Sequence, residues 1–517
     1  MPDKKPKEPV EFKVVSNAGG RVNPTFEEKQ DLWNFLLASW RGGLGQSGKF
    51  TMTETLAKEL GVSGYYPGLF KFKREAAADY VNRVAMSPYT PLARMIVDEY
   101  VKYVTKDGPV RTKAEKFDDL INNADREGRS MDRFVRDALS LSMVMGEIAI
   151  LVDQPTAEEE VVSQADAKAK DLRAYASIIL PQNIVDWSLN SKGKYEWLII
   201  ETTNLVSSID DDEAQTIKTR TYWDNEVWQR YQEDDSNDAQ AKGEAEWKLV
   251  ASGKHPCKET PVMRIVTNDI DQNALTPESW FFDLADLNRA YYNIDSLDFA
   301  NLFYATFGIL ILPSEGGDDN EATVLSHAHA LTENVDTNGI TRYVQTTGAE
   351  GESFDRKLEA LIIRLYMTAG LQYQTGKAVP QSGISKAWDF QRVNQFLAGL
   401  AKIAGSIEEG MSTIAACWDV LGNEGYEAAY PKNFSATELA ETIEAVLGIQ
   451  TIGFSSETGR KEILKHIYKE TLPDVSQNIM DIIFEEIDES EEPVVEAFND
   501  GRPDDDDDNN NDGTPVD

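Results

Sequence analysis

The sequence predicts an α+β protein, predominantly helical, on three observations. Segments such as DLWNFLLASW and the stretch from Met131 to Met145 repeat apolar residues at helical spacing. Between Gly146 and Val266 the pattern switches to short runs rich in β-branched and aromatic residues. From Pro277 to Leu421, two long helical patterns flank a strand-like excursion, and an acid-free loop leads into a third, longer helix.

Residues Met1 to Asn23 are polar and read as an arm. Thr25 is the expected cap of the first helix, with Glu27 and Glu28 in its first turn, and Gly42-Gly43 ends it. Further helices fit TETLAKEL, REAAADYVNRVAM, TPLARMIVDEYVKYVT and Met131–Met145. Gly146 opens the strand EIAILVD. Thr156 to Leu172 is rich in Ala, Glu, Lys and Asp and reads as a surface helix or an insertion. The strands YASIILP, YEWLIIETT, TRTYWDNEVWQRY, EWKLVAS and PVMRIV follow, with a hairpin turn expected at DNE. The helix WFFDLADLNRAYYNIDSLDFANLFYA breaks into GILILP, and after a polar excursion the chain returns as FDRKLEALIIRLYMTAG. QTGKAVPQSGISK then crosses to WDFQRVNQFLAGLAKIAGSIEEGMSTIAACWDVLG. Three more helices fit SATELAETIEAVLG, SSETGRKEILKHIYKE and VSQNIMDIIFEEIDE. The end, GRPDDDDDNNNDGTPVD, has the composition of a disordered tail.

At 517 residues the chain is too long for one compact core. Its 41% apolar and 27% charged residues are those of an ordinary soluble protein, and no apolar run is long enough to span a membrane. The N-terminal MPDKKPKEPVEFKVV lacks an apolar core, so a secretory signal is not expected. Cys257 and Cys417 lie far apart in the sequence, which suits free thiols in a reducing cytosol better than a disulfide framework. The net charge of −38 is uneven: Asp481–Asp517 holds 16 acids against Arg502, leaving −23 for the rest. A chain this acidic is poorly suited to wrap nucleic acid by neutralising phosphates, although it can surround a duplex without gripping it.

Several motifs tempt and fail. Gly43 to Phe50 (GLGQSGKF) nearly matches a phosphate-binding loop, but Phe50 stands where the metal-binding hydroxyl is needed and the preceding segment is helical. His327 and His329 form a lone H-x-H pair without further ligands, which suits a polar surface or subunit contact better than a metal. His255-Pro256-Cys257 lacks the second cysteine of a zinc deaminase signature, and nothing marks a base for Cys257. Trp223, Trp228 and Tyr231 suit a half-buried sheet better than ligand stacking. No catalytic, metal or cofactor site is therefore expected, and the chain is not expected to be an enzyme.

The loop lysines stand apart. Between Arg364 and Phe390 the only carboxylate is Asp389, and Gly376, Pro380 and Gly383 break helical continuity around Lys377 and Lys386. A helix–helix connector of chance charge explains the same loop equally well.

The collinear set GEIAILVDQP, IILPQNIVDWSL, PESWFFDLADLNRAYYNIDSLDFANLFYATFGILILP and GISKAWDFQRVNQFLAGLAKIAGSIEEG resembles the portal proteins of tailed bacteriophages. The aromatic-rich stretch 65–104 and its basic end, through Arg111, are similar too. The resemblance runs from about Tyr66 to Ile467 and weakens after Leu421.

What it implies is a portal fold, with residues 25–276 a wing, helical and then β-rich; the N-terminal arm, residues 1–24, has no counterpart in the resemblance. Residues 277–305 and 352–373 would be paired stem helices and 306–351 a clip. Residues 374–386 would be a channel loop, 387–421 a long wing helix, 422–490 a crown and 491–517 a disordered acidic tail. The resemblance also implies a ring, usually of twelve copies, at one capsid vertex of a virion and made in the host cytoplasm. Packaging terminase, tail adaptor and major capsid protein are the implied partners, and no membrane is involved. Double-stranded DNA would pass without sequence specificity, facing Lys377, Gln381, Ser382 and Lys386. Leu284, Leu287, Tyr291 and Ile294 form a stripe ending at Asp298 that would pack stem helices and subunits. Another head-completion or connector protein is the nearest rival. A helical-bundle hydrolase or transferase is the rival from another class, and the sequence offers no titratable cluster to seed its pocket.

Overall fold

The computed structural model describes residues 19–42, 68–73, 75–155, 172–206, 215–234, 246–267, 277–307, 309–314, 331–334, 340–344, 351–371, 383–418, 426–431, 461–462, 465 and 477–489. They fall into two compact units, Met1–Phe434 and Ser435–Asp517. The helices expected at TETLAKEL and SATELAETIEAVLG, nearly all of Thr156–Leu172, and the acidic end lie outside the described residues.

The described part of the first unit is α+β. Its helices are α1 (Pro24–Arg41), α2 (Ala77–Met86), α3 (Leu92–Thr105), α4 (Asp118–Asn122), α5 (Met131–Met145), α6 (Phe282–Phe307), α7 (Gly351–Ala369) and α8 (Gly383–Trp418). None of the described helices is long and apolar enough to cross a membrane. The cap of α1 is Asn23, not Thr25: the Asn23 side chain accepts the Thr25 N–H at 3.0 Å. Pro24 takes the first helical position, where a missing N–H costs nothing. Ser130 caps α5, accepting the Arg133 N–H at 3.4 Å. Gly146 closes that helix at φ +82°, and a Cβ there would stand 3.0 Å from the Pro277 carbonyl oxygen. Both the left-handed turn and the close approach therefore require glycine.

The core lies where α3, α5 and α8 pack together over a small sheet. Ile96, Val97 and Val104 of α3, Phe134, Val135 and Leu139 of α5, and Leu400, Ala404, Ile407 and Met411 of α8 are buried together. Beneath them β2 (Glu147–Asp153) runs antiparallel between β3 (Tyr175–Ile179) and β9 (Val262–Val266). Ile148, Ile150 and Val152 are fully buried. A strand in the middle of its sheet that is covered by helices reads as an apolar run, which is how EIAILVD announced itself.

A five-stranded antiparallel meander follows in chain order: β4 (Ile184–Leu189), β5 (Tyr195–Val206), β6 (Gln215–Trp223), β7 (Val227–Asp234) and β8 (Glu246–Lys254). The expected hairpin at DNE forms because Asp224 Oδ1 accepts the N–H groups of Glu226 and Val227 at 2.7 and 2.8 Å. Trp223 and Tyr231 are buried, and Trp228 packs against the core, so the aromatic run is packing, as expected. Residues 19–23 lie against this sheet. Arg21 and Asn23 donate to the Asp186 carboxylate at 2.8 and 3.2 Å, and the Asn23 N–H donates to the Val185 carbonyl. The described end of the N-terminal segment is thus seated on β4.

After α6, β10 (Ile309–Ser314) pairs parallel with β11 (Leu331–Asn334) and antiparallel with β12 (Arg342–Val344). The antiparallel pairing brings the chain leaving α6 beside the chain entering α7, and the two helices pack against each other. They form an antiparallel pair. By helical rise α6 is about 39 Å long and α8 about 54 Å.

A polar knot closes this unit. β1 (Val110–Thr112) pairs antiparallel with β13 (Glu427–Ala429), so residues 426–431 belong with the helices of the first unit. Glu408 of α8, fully buried, accepts from Arg111, from Tyr426 Oη at 2.5 Å and from Tyr430 Oη at 3.2 Å. Arg111 also reaches Asp132. In the second unit, α9 (Gln477–Glu489) buries Met480 and Ile487, and Lys465 contacts Asp488 at 2.7 Å.

Removing one partner of a buried ion pair strands the other charge in low dielectric. Arg111→Met is therefore expected to cost roughly 3–5 kcal/mol, read as a lowered midpoint of denaturant unfolding. An unchanged midpoint would show that the Glu408 carboxylate does not depend on Arg111.

Candidate functional site: the helical column and its anchors

Three aromatic rings mark the place where the helices of the column meet. Tyr100 of α3 stands edge-on to Trp280, just before α6, at 5.6 Å, and to Phe396 of α8 at 5.1 Å. Trp280 and Phe396 stack at 5.3 Å with 27° between planes. Tyr100 Oη also donates to the Ala369 carbonyl, the last residue of α7, at 2.5 Å. Gly370, at φ +81°, turns the chain out of α7, and the Leu371 N–H returns to the Tyr366 carbonyl at 2.8 Å. One tyrosine thus joins the start of α6, the end of α7 and the flank of α8.

The loop leaving this junction carries the predicted DNA-facing residues. Lys377, Gln381 and Ser382 lie outside the described residues. Lys386 is on α8, whose first residue is Gly383, so it belongs to the first helical turn and not to the loop. Gly383 opens α8 and does not interrupt it, since glycine's cost is one of backbone entropy in a helix interior and Gly383 stands at the end. Gly43–Phe50, His327 and His329 also lie outside the described residues.

The stripe read from the sequence on α6 is corrected in part. Leu284 is 1% exposed and belongs to this chain's own core, and Leu287 packs against the same core. Tyr291 and Ile294 are half-buried. The deeply buried face instead carries Asn288, Tyr292, Asn293 and Ser296. Asn288 Oδ1 accepts the Ala93 N–H at 2.8 Å and its Nδ2 donates to the Thr90 carbonyl at 3.0 Å. It supplies the N-terminal cap that α3 lacks, since Pro91 offers no capping side chain. Asn293 accepts the Phe70 N–H and donates to the Gly68 carbonyl, both at 2.8 Å. Ser296 accepts from Arg83, which is 3% exposed and also holds Glu75 and the Phe70 carbonyl. A sequence signal existed: asparagine in the interior of a long helix is unfavourable unless its amide has a partner.

The outer face of α6 is acidic, with Asp283, Asp286, Asp295 and Asp298 against Arg289 alone. Arg289 bonds Asp286 at 2.5 Å and lies over the rings of Phe35 and Phe70. Burial, then the neighbouring Asp298, raises the Asp295 carboxyl above its usual range. Phe299 and Leu302 are exposed on the same helix and Met367 on α7. α7 balances Glu352, Asp355 and Glu359 with Arg356, Lys357 and Arg364.

No group of three or more His, Cys, Asp or Glu side chains among the described residues is placed to hold a metal ion. His255 bonds the Asp224 carbonyl at 2.9 Å, and burial lowers its pKa. Cys257 and Cys417, far apart in the sequence, line one cleft of about 1180 Å³ beside β9 and α8.

Asn293 tests the anchorage. Asn293→Leu leaves the buried Gly68 carbonyl unpaired, at about 1–3 kcal/mol, and releases the part-buried Phe70 N–H. Faster hydrogen exchange at the Phe70 amide is the expected readout, and unchanged protection there would remove Asn293 from the anchor.

No family model matches the chain, and no curated protein matches it. Among solved structures it is similar to a chain of the neck of an empty GTA particle computed with C6 symmetry, at 10% identity and a TM-score of 0.38, covering 72% of this chain and 90% of that one. It is similar to a chain of the virion of a native gene transfer agent particle at 10% identity and a TM-score of 0.36, covering 72% and 89%. A chain of the neck of a native GTA particle computed with C12 symmetry is matched at 10% identity and a TM-score of 0.37, again over 72% and 89%.

Proposed function

We propose that this chain is a portal protein, a ring-forming component of a virion through which DNA is packaged and ejected. The observation that carries the reading is the order α6, small sheet, antiparallel α7, acid-free segment, α8, with the segment's base fixed at the Tyr100 junction. In this reading 25–276 is the wing, α6 and α7 are the stem, and the sheet β10–β12 is the core of the clip at 306–351, where terminase and then the tail adaptor dock. The segment between Leu371 and Gly383 is the channel loop, and α8 is the long wing helix behind it. The crown in this reading is drawn from 422–490, without residues 426–431, whose strand pairs with β1.

A channel of this kind must not trap its cargo. Each neutralised phosphate adds counterion-release affinity, and many such contacts would halt movement. The acidic face of α6 and the acid-free loop act in complementary ways. Repulsion keeps the duplex central, and a few cations give exchangeable contact. The chain itself performs no chemistry in this scheme, and energy comes from a separate ATPase.

The purified chain under assembly conditions is expected to form a large closed ring by native mass spectrometry or negative-stain imaging. A clean monomer would overturn the reading. Lys377→Glu combined with Lys386→Glu is expected to lower DNA packaging while rings still assemble, and normal packaging by the double variant would remove the loop and the first turn of α8 from the DNA path.

A further inference from the structure

The cleft beside β9 and α8 holds both cysteines of the chain, 160 residues apart in sequence. Cys257 is buried in the connection between β8 and β9, and Cys417 is exposed near the end of α8. Both cysteines line that cleft, and the Cys257 thiol feels the neighbouring Cys417. Their surroundings hold them there. His255, two residues before Cys257, meets Trp418 ring to ring at 6.0 Å. Trp418 Nε1 donates to the Val152 carbonyl at 2.8 Å, and Cys417 Sγ approaches the Thr413 carbonyl at 3.5 Å. The seating of α8 on β9 is close: a Cβ on Gly410 would collide with Met263 Cε.

We propose that Cys257 and Cys417 are a reversible disulfide site that joins the β-rich part of the unit to the end of α8 when a small-molecule disulfide is present. The exposed Cys417 thiol, as thiolate, attacks one sulfur of oxidised glutathione. The glutathione S–S bond breaks, a mixed disulfide forms at Cys417, and one reduced glutathione leaves with the proton. Cys257 then gives its proton to solvent, attacks the Cys417 sulfur and displaces the second glutathione thiolate. Two protein thiols are oxidised and one glutathione disulfide is reduced to two thiols. The division of labour follows from the site. Burial and the neighbouring Cys417 push the Cys257 thiol up to about 12, so it is a poor first nucleophile, whereas Cys417 is open to a bulky reagent. In a reducing cytosol the pair stays open. It closes on exposure to an oxidising solution and constrains a long loop of the unfolded chain.

The full-length chain is treated with oxidised glutathione, and free thiols are titrated after denaturation. The titre is expected to fall from two per chain to none. Peptide mapping should then give one cross-linked pair containing Cys257 and Cys417, and the melting temperature should rise and return on reduction. Cys417→Ser should abolish both the cross-link and the shift. A stable glutathione adduct on Cys417 with Cys257 still free, covalent chain-to-chain dimers, or two unreacted thiols would each overturn the proposal.

Discussion

Tyr100 does two things at once, and the geometry of the helical column follows from both. Its ring closes an aromatic triad with Trp280 and Phe396, while its hydroxyl satisfies the terminal carbonyl of α7. Helix ends leave carbonyls without intrahelical partners, and burying one unpaired is costly. The Ala369 carbonyl therefore has a reason to stay on α3, and α7 has a fixed end. Aromatic contacts of this kind add about 0.5–1.5 kcal/mol each beyond area burial. Because the rings come from α3, α8 and the entry to α6, displacing any one of these elements loses contacts to the others. The segment after Leu371 thus leaves from a rigid base.

The second constraint is polar. A purely apolar α6 face would be free to rotate or slide along its neighbours, since hydrophobic contact has no direction. Asn288, Asn293 and Ser296 remove that freedom, because each must meet a particular partner among Gly68, Phe70, Arg83, Thr90 and Ala93. Two of the partners, the Gly68 carbonyl and the Phe70 N–H, are backbone groups of a segment at 68–72 that is neither helix nor sheet, so the Asn293 amide substitutes there for a missing ladder. Buried polar networks are costly when half satisfied. This one fixes the helix in both rotation and height. The Glu408 knot does the same for α8, tying it to β1 through Arg111 and to the chain after α8 through Tyr426 and Tyr430.

Much of this was legible in the sequence where burial is periodic. Met131–Met145 and EIAILVD were read with their ends correct, because Ser130 and Gly146 are caps with a physical mechanism and β2 is apolar on both faces. The column order was legible for the same reason. What failed was contact at long range. Asn23 displaced Thr25 as cap, an outcome that also fits its bonds to β4. On α6 the stripe rule weighted hydrophobicity, whereas the buried face is chosen by asparagines whose partners lie about 200 residues earlier. No spacing rule could pair Cys257 with Cys417, since their meeting depends on α8 lying across β9.

The acids on α6 show how anchorage and surface charge are linked. Asp295 and Asp298 stand three residues apart on one helical face, where like charges oppose helix formation. Partial burial first, and that conflict second, raises the Asp295 carboxyl. A carboxyl whose folded pKa exceeds its unfolded value costs stability above the unfolded pKa, and the cost disappears as pH falls below it. At neutral pH Asp295 therefore works against the fold, and the directional bonds of Asn288, Asn293 and Ser296 on the same helix offset that cost. The buried asparagines and the half-buried aspartate are thus linked: a helix held by directional bonds can keep a carboxyl that its own surroundings disfavour.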